Sequence, residues 1–352
     1  MRSPNQSLNL SAIHVKNSRC LQDRLVGRVE VRLRHAASGL WSEVATHILM
    51  SRSETDGVNS VGAVQGSPWF GWIPLVVFPL VTLLFRNSLP AWVFMWILAF
   101  SIYISLKWLT WWKARTRVPH SAWRSTAYLL AWPGMDAESF LASQRVPQPQ
   151  GRAWFWAIFE TILGATLFWG VARIVPEGEL LLRGWVGMLG LVFLLHFGTF
   201  RVVGLVWQSL GVDAVPIMSA PLSSKSLSEF WGKRWNLGFR QLSYDLIFRP
   251  LHRNLGAGGA GFLVFLVSGL IHDFVISLPA RAGYGLPTAY FAFQGVGVAL
   301  ERSRLGQQLG LRNGVGGWLF MALWTAGPAF WLFHSAFVLR VIIPFMRASH
   351  AP

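Results

Sequence analysis

Gly261-Phe-Leu-Val-Phe-Leu-Val-Ser268-Gly-Leu-Ile-His272-Asp273-Phe-Val-Ile-Ser277 decides how this chain is read. The run is apolar except for small residues and one imidazole–carboxylate pair near its end. A helix of about 20 residues crosses the roughly 30 Å hydrocarbon core of a bilayer. With a start near Gly258 and a rise of about 1.5 Å per residue, His272 lies about 20 Å along such a helix. An ionisable side chain at that depth is costly unless a partner, a wet cavity or a function compensates for it.

Similar apolar runs recur near 69–85, 90–110, 153–173, 181–205, 259–279, 286–301 and 315–343. The first and sixth are short. The last contains Gly327-Pro328, where the proline removes a backbone donor, so it is one kinked helix or two shorter pieces. The pattern predicts an all-α integral membrane protein, a multispanning helical bundle of about seven to nine passes. Composition agrees: 53% hydrophobic, 13% charged and 20 Trp in 352 residues is too apolar and aromatic for an ordinary soluble domain. The formal charge of +16 raises the question of nucleic acid. Its cations interleave with apolar runs, however, which points to membrane lipids as partners and to no nucleic acid. Cys20 is the lone cysteine, which excludes an internal disulfide framework. No two histidines stand at i and i+4, so no metal site is expected.

Residues 1–66 differ from the rest, with scattered charges and the polar stretch 51–60. They read as a poorly ordered cytoplasmic N-terminal extension, with a short helix around Val29 to Leu49 as the alternative. Met50 precedes the first apolar run closely, so the extension is also a candidate for an overcalled gene start. Residues 67–347 form the membrane domain and 348–352 a short tail. Lys113, Arg115, Arg117, Arg124, Arg145 and Arg152 crowd one connection; Lys225, Lys233, Arg234, Arg240, Arg249 and Arg253 crowd another. The alternate connections hold only Arg86, then Arg173 and Arg183 beside two glutamates, then Arg281. The positive-inside rule therefore puts the N-terminus and the Trp231–Arg253 loop in the cytoplasm. Arginine outnumbers lysine, as in GC-rich bacterial genomes, and the expected location is a bacterial inner membrane.

Phe230 to Pro250 alternates rings (Phe230, Trp231, Trp235, Phe239, Tyr244, Phe248) with cations (Lys233, Arg234, Arg240, Arg249). Such a segment serves as an interfacial anchor. It serves equally as a basic mouth that grips a polyanionic cosubstrate, since arginine matches phosphate through its planar fork. His272 is either a general base, able to take a hydroxyl proton and return it to a leaving group, or a residue held by a neighbouring helix or by Asp273. His196 and His334, also in apolar runs, read as packed residues. Ser268, one turn before His272, raises a serine hydrolase, but positions stacked on one helix give a poor nucleophile–base angle. Gly256, Gly258, Gly259 and Gly261 read as small residues that allow close helix packing.

Phe230-Trp-Gly-Lys-Arg-Trp-Asn236 and Phe265-Leu-Val-Ser-Gly-Leu-Ile-His272-Asp273 resemble the two signatures of the membrane-bound O-acyltransferases, in particular the wax-ester-synthase-like branch. Tyr128-Leu-Leu-Ala-Trp-Pro-Gly-Met-Asp136 and the end segment Phe333–Phe345 extend the likeness over most of 69–347. The resemblance implies a bundle enclosing a reaction tunnel, with acyl-CoA as co-substrate from the cytoplasm, no tightly bound cofactor, and a lipophilic alcohol reaching the histidine within the membrane. It implies His272 as the catalytic base and Asn236 as the second signature residue. Lys233, Arg234, Arg240, Trp231 and Trp235 become the substrate-binding candidates. Asp273 stands where relatives often carry Glu and receives no role. Two further readings stay open: a lipid transporter or flippase with His272 as proton relay, which would want more carboxylates than Glu160 and Asp273 along a path, and a diacylglycerol or sterol O-acyltransferase of the same family.

Overall fold

The computed structural model describes residues 68–143 and 146–351. The expectations for residues 1–66, the start at Met50 and the loop cation Arg145 lie outside the described residues. Among the described residues the chain is helix and connection, with no strand. The principal helices are α1 (Ile73–Leu84), α2 (Ala91–Ala114), α3 (Ala122–Ala131), α4 (Gly151–Ile174), α5 (Leu180–Ser209), α6 (Leu237–Ala280), α7 (Leu286–Arg302), α8 (Gly314–Leu332) and α9 (335–348). Five of them, α2, α4, α5, α6 and α8, are long and apolar enough to cross a membrane. Their outer faces leave Phe155, Phe159, Ile162, Leu189, Leu270 and Leu323 exposed, a surface that hydrocarbon covers and water does not.

The seven apolar runs all fall on helix, and the last resolves into two pieces. α8 bends at Gly327–Pro328 and ends at Leu332; the chain then breaks at Phe333–His334 before α9. His334 caps the new start, its Nδ1 accepting from the Phe337 amide at 3.2 Å.

Close packing falls on other glycines than those at 256–261. A Cβ on Gly164 of α4 would meet Leu194 Cα of α5 at 2.6 Å, and one on Gly198 would meet Thr161 Cα at 2.6 Å, so these two helices touch backbone to backbone. Gly258 and Gly261 face open space. Gly256 instead has φ 66° and ψ 175°, a conformation that only glycine adopts freely, and it breaks α6 into 237–255 and a spanning piece from 257 onward. The expected start near Gly258 therefore stands, but the glycine next to it turns the chain rather than packing it. The α6–α7 approach lies further on at Gly269, where a Cβ would meet Thr288 Cα at 2.7 Å.

One apolar core, including Phe168, Ile276, Phe291, Val338, Val341 and Met346, joins α4, α6, α7 and α9. A second surrounds Tyr128, Trp132 and Phe140. Beside it Lys107 of α2 is fully buried, its ammonium 3.3 Å from the Tyr128 ring centroid and donating to the Gly134 carbonyl. A cation over a ring with a carbonyl acceptor is a tolerable interior arrangement. It ties the Tyr128–Asp136 segment to α2.

Candidate active site

His272 sits on the inner face of α6, with Leu270 on the exposed face. Its Nδ1 lies 2.7 Å from the Ser268 carbonyl, one turn back. A carbonyl only accepts, so Nδ1 carries the proton and Nε2 keeps a free lone pair. No hydrogen bond to Nε2 forms among the described residues. The contact is to the Ser268 backbone, not its hydroxyl, so the serine is no partner in a nucleophile–base pair. The imidazole rests on Phe291 of α7, ring centroids 4.5 Å apart.

Asp273 takes a role that sequence reasoning left blank. It opens a π-helical turn, Asp273–Ser277, that directly follows His272; such widened turns re-aim side chains and recur at functional sites. Its Oδ1 accepts from Ser277 Oγ and from the Gly285 amide, both at 2.8 Å. Its Oδ2 accepts from the Thr288 amide at 3.1 Å and from the Thr288 hydroxyl. The carboxylate thus caps the N-terminus of α7, where free amides and the helix dipole favour an anion. It fixes the turn between α6 and α7, and with it the ring under His272.

α7 carries three residues that sequence reasoning missed. Phe291 packs against both His272 and Trp231, the latter with centroids 5.7 Å apart. Gln294, fully buried, accepts from Trp231 Nε1 at 3.3 Å and donates to the Trp324 carbonyl at 2.9 Å. Glu301, also fully buried, accepts from the Leu227 and Ser228 amides at 2.5 and 3.1 Å, capping the short helix Leu227–Glu229 that leads into the aromatic–basic segment. Positions 291, 294 and 301 recur at i, i+3 and i+10, one helical face. That pattern, an amide and an acid in line inside an apolar run, was available in the sequence.

Phe230–Arg234 forms a second π-helical turn, and Asn236 follows it in the left-handed region at φ 44°. Asparagine tolerates that conformation better than other non-glycine residues. Asn236 Oδ1 accepts from the Phe239 amide at 3.4 Å, capping the start of α6, and its backbone amide lies 3.2 Å from Met218 Sδ. Its side-chain amide nitrogen has no partner among the described residues. Trp235 stacks on Phe230 at 5.3 Å, while Trp231 packs inward against Phe265 at 5.8 Å.

The three expected phosphate cations divide. Arg234 pairs with Glu229 at 2.7 Å and donates to the Ser219 carbonyl and to Ser223 Oγ, which fastens the 219–223 connection to the signature segment. The Lys225 amide and the Arg234 guanidinium together hold the Glu229 carboxyl below the usual carboxylate range. Lys233 and Arg240 are exposed and make no side-chain hydrogen bond among the described residues. Of the remaining intramembrane histidines, His196 lies against Phe200, while His334, the cap of α9, packs its ring against Gly283 in the turn that Asp273 holds. Among the described residues no cluster of side chains suits a metal ion.

The profile of the membrane bound O-acyl transferase family matches residues 214–293, which contain both Asn236 and His272. A long-chain-alcohol O-fatty-acyltransferase of Simmondsia chinensis is 30% identical over 138 residues, covering 32% of this chain and 39% of that protein. Two Arabidopsis thaliana proteins, probable long-chain-alcohol O-fatty-acyltransferases 9 and 7, are 39% identical over 79 residues and 31% over 140. Those matches cover 20% and 35% of this chain, and 23% and 40% of the respective relatives. The chain thus aligns with about two fifths or less of the length of these relatives. Membrane residence rests on the apolar helices and the family match, while these relatives, being plant proteins, lend nothing to the bacterial inner membrane expected from arginine usage. Asn236 and His272 thus both lie in a segment that matches the membrane bound O-acyl transferase family, on a chain whose helices are long and apolar enough to cross a membrane and which is similar over part of its length to long-chain-alcohol O-fatty-acyltransferases.

Proposed function

We propose that this protein transfers a fatty acyl group from acyl-CoA to the hydroxyl of a lipophilic alcohol, as a wax-ester-synthase-like enzyme. The observation that carries the proposal is the bare Nε2 of His272 on a spanning helix, coupled through Phe291 to the signature segment at Trp231. The alcohol O–H gives its proton to Nε2 while its oxygen bonds the thioester carbonyl carbon. The C–S bond then breaks, and the imidazolium returns the proton to the departing thiolate, leaving an ester and free CoA. The unpartnered Asn236 amide supplies a donor for the carbonyl oxygen as charge builds on it. Lys233 and Arg240 take the CoA phosphates, while Arg234 holds the loop that presents them. Trp231 and Trp235 line the thioester's approach. The cation-rich connections face the cytoplasm, where acyl-CoA is found.

Purified full-length protein given labelled acyl-CoA and a panel of long-chain, short-chain, sterol and diacylglycerol acceptors tests the proposal. Ester formation that depends on His272 is the expected result. A protein that forms no ester with any acceptor, yet redistributes lipid between vesicle leaflets, would instead mark a transporter.

A further inference from the structure

We propose that Arg86, Arg281 and Arg340 form a binding site for the phosphate group of a membrane lipid, at the end of the bundle where α1 joins α2 and α6 joins α7. The three guanidiniums line a cavity of about 180 Å³, floored by Phe94, Leu278 and Pro279. They arrive from three separate parts of the chain: the α1–α2 turn, the end of α6, and α9. Arg281 donates to the Arg86 carbonyl at 3.2 Å and to Asn87 Oδ1 at 3.0 Å; Arg340 donates to the Ala280 carbonyl at 3.1 Å; Arg86 reaches the Tyr284 hydroxyl at 3.4 Å. These bonds tie each arginine to the turn of a neighbouring segment.

None of these arginines takes part in an ion pair among the described residues, whose pairs are Arg117–Glu138, Arg201–Glu160, Arg234–Glu229 and Arg312–Glu301. Arg86 Nε is moreover buried with no hydrogen-bond partner. A buried orphan donor at a cavity lined by three arginines with no carboxylate among its lining residues is an arrangement that an anion completes. A guanidinium has five N–H donors in a planar fork that matches the oxygens of phosphate, and most of these fifteen remain open here.

Placement selects the source. The cavity lies at the end of spanning helix α6, about 12 Å beyond His272 at 1.5 Å per residue, and a helix end is where headgroups meet the protein. Lys233 and Arg240, to which acyl-CoA phosphates were assigned above, lie at the other end of α6, just before and just after its start. The two basic regions therefore serve different ligands.

The test uses the full chain purified in a maltoside detergent, which brings no phosphate. Its thermal unfolding midpoint is followed during titration with dihexanoyl phosphatidylglycerol, with a neutral glycolipid of the same chain length, and with inorganic phosphate. The expected result is a saturable rise with phosphatidylglycerol and none with the glycolipid, with apparent affinity falling about tenfold or more in Arg86→Gln and in Arg340→Gln. Inorganic phosphate that competes only at far higher concentration supports the lipid headgroup as the source. Inorganic phosphate that gives the whole effect at equal concentration overturns the lipid assignment in favour of a free anion. If Arg86→Gln does not fold, Arg340→Gln, an exposed position, decides together with Arg340→Lys, which keeps the charge and should retain part of the response. A wild-type lipid response in the folded variants, or equal stabilisation by the glycolipid, overturns the site.

Discussion

The ring centroids of His272 and Phe291 lie 4.5 Å apart, and the same phenyl ring packs against Trp231 at 5.7 Å, so one side chain of α7 joins the intramembrane histidine to the aromatic–basic segment. Phe291 is almost fully buried. Replacing it by Leu should preserve the fold and lower kcat/KM by about tenfold, because aromatic contacts of this kind contribute about 0.5–1.5 kcal/mol each beyond their area. Phe291→Ala should also lower stability by about 3 kcal/mol or more through the cavity it leaves. Steady-state kinetics beside thermal unfolding separate the two effects; a fully active Phe291→Leu would break the proposed link.

His272→Ala should reduce ester formation by at least about 10²-fold, the usual scale for loss of a general base. Membrane insertion and unfolding midpoint should stay close to those of the unaltered chain, because among the described residues the side chain makes one hydrogen bond, to a carbonyl of its own helix. Turnover near normal would remove the histidine from the mechanism.

Asn236 has two separable features, a capping oxygen with a left-handed backbone and a free amide donor. Asn236→Asp keeps the cap but removes the donor, whereas Asn236→Gly keeps the backbone conformation and removes both. If the donor acts on the thioester oxygen, Asn236→Asp should lose about 10²-fold in kcat with its thermal midpoint nearly unchanged. An Asp variant that turns over normally would make Asn236 a cap alone.

Among the cations, Lys233→Gln and Arg240→Gln should raise KM for acyl-CoA more than they lower kcat, since phosphate contacts remote from the carbonyl are shared by ground and transition states. The increase should shrink at high ionic strength. Arg234→Gln should act through the fold instead, loosening the 219–223 connection. A short acyl thioester without the nucleotide provides the control: if the Lys233 and Arg240 variants slow it as much as acyl-CoA, the basic segment anchors the protein and does not grip the donor.

The Glu229 carboxyl is held below its unfolded value, so its contribution to stability is present above about pH 4.3, the reference value for glutamate. It is lost as pH falls through the lower, folded value. Glu229→Gln should therefore flatten the acid limb of the unfolding midpoint against pH, and near neutrality it should cost about 2 °C or less, the scale of a largely solvated pair. An acid limb unchanged by that substitution would show that the Arg234 clamp depends on its contacts with the 219–223 connection alone.

Much of this protein follows from local sequence. Apolar runs of bilayer length dictate helices because a backbone in hydrocarbon must satisfy its hydrogen bonds within its own segment. The same physics makes one histidine in such a run conspicuous, and Pro328 marks a break because it lacks the donor that a regular helix needs, whereas the turn at Gly256, read from sequence as a packing residue, emerged only in the fold. What the sequence alone could not decide were relations between segments distant along the chain. Asp273 caps a helix that begins thirteen residues later; Glu301 caps one that begins seventy-four residues earlier; Arg234 turns away from the surface to Glu229 and a loop. Each depends on which polar groups end up within about 3 Å of one another after packing, and hydrogen bonds are too short-ranged and directional to be read from spacing. Side-chain types set the chemistry available at His272 and Asn236; only the placement of α7, whose Phe291 packs against both His272 and Trp231, brought the two segments together.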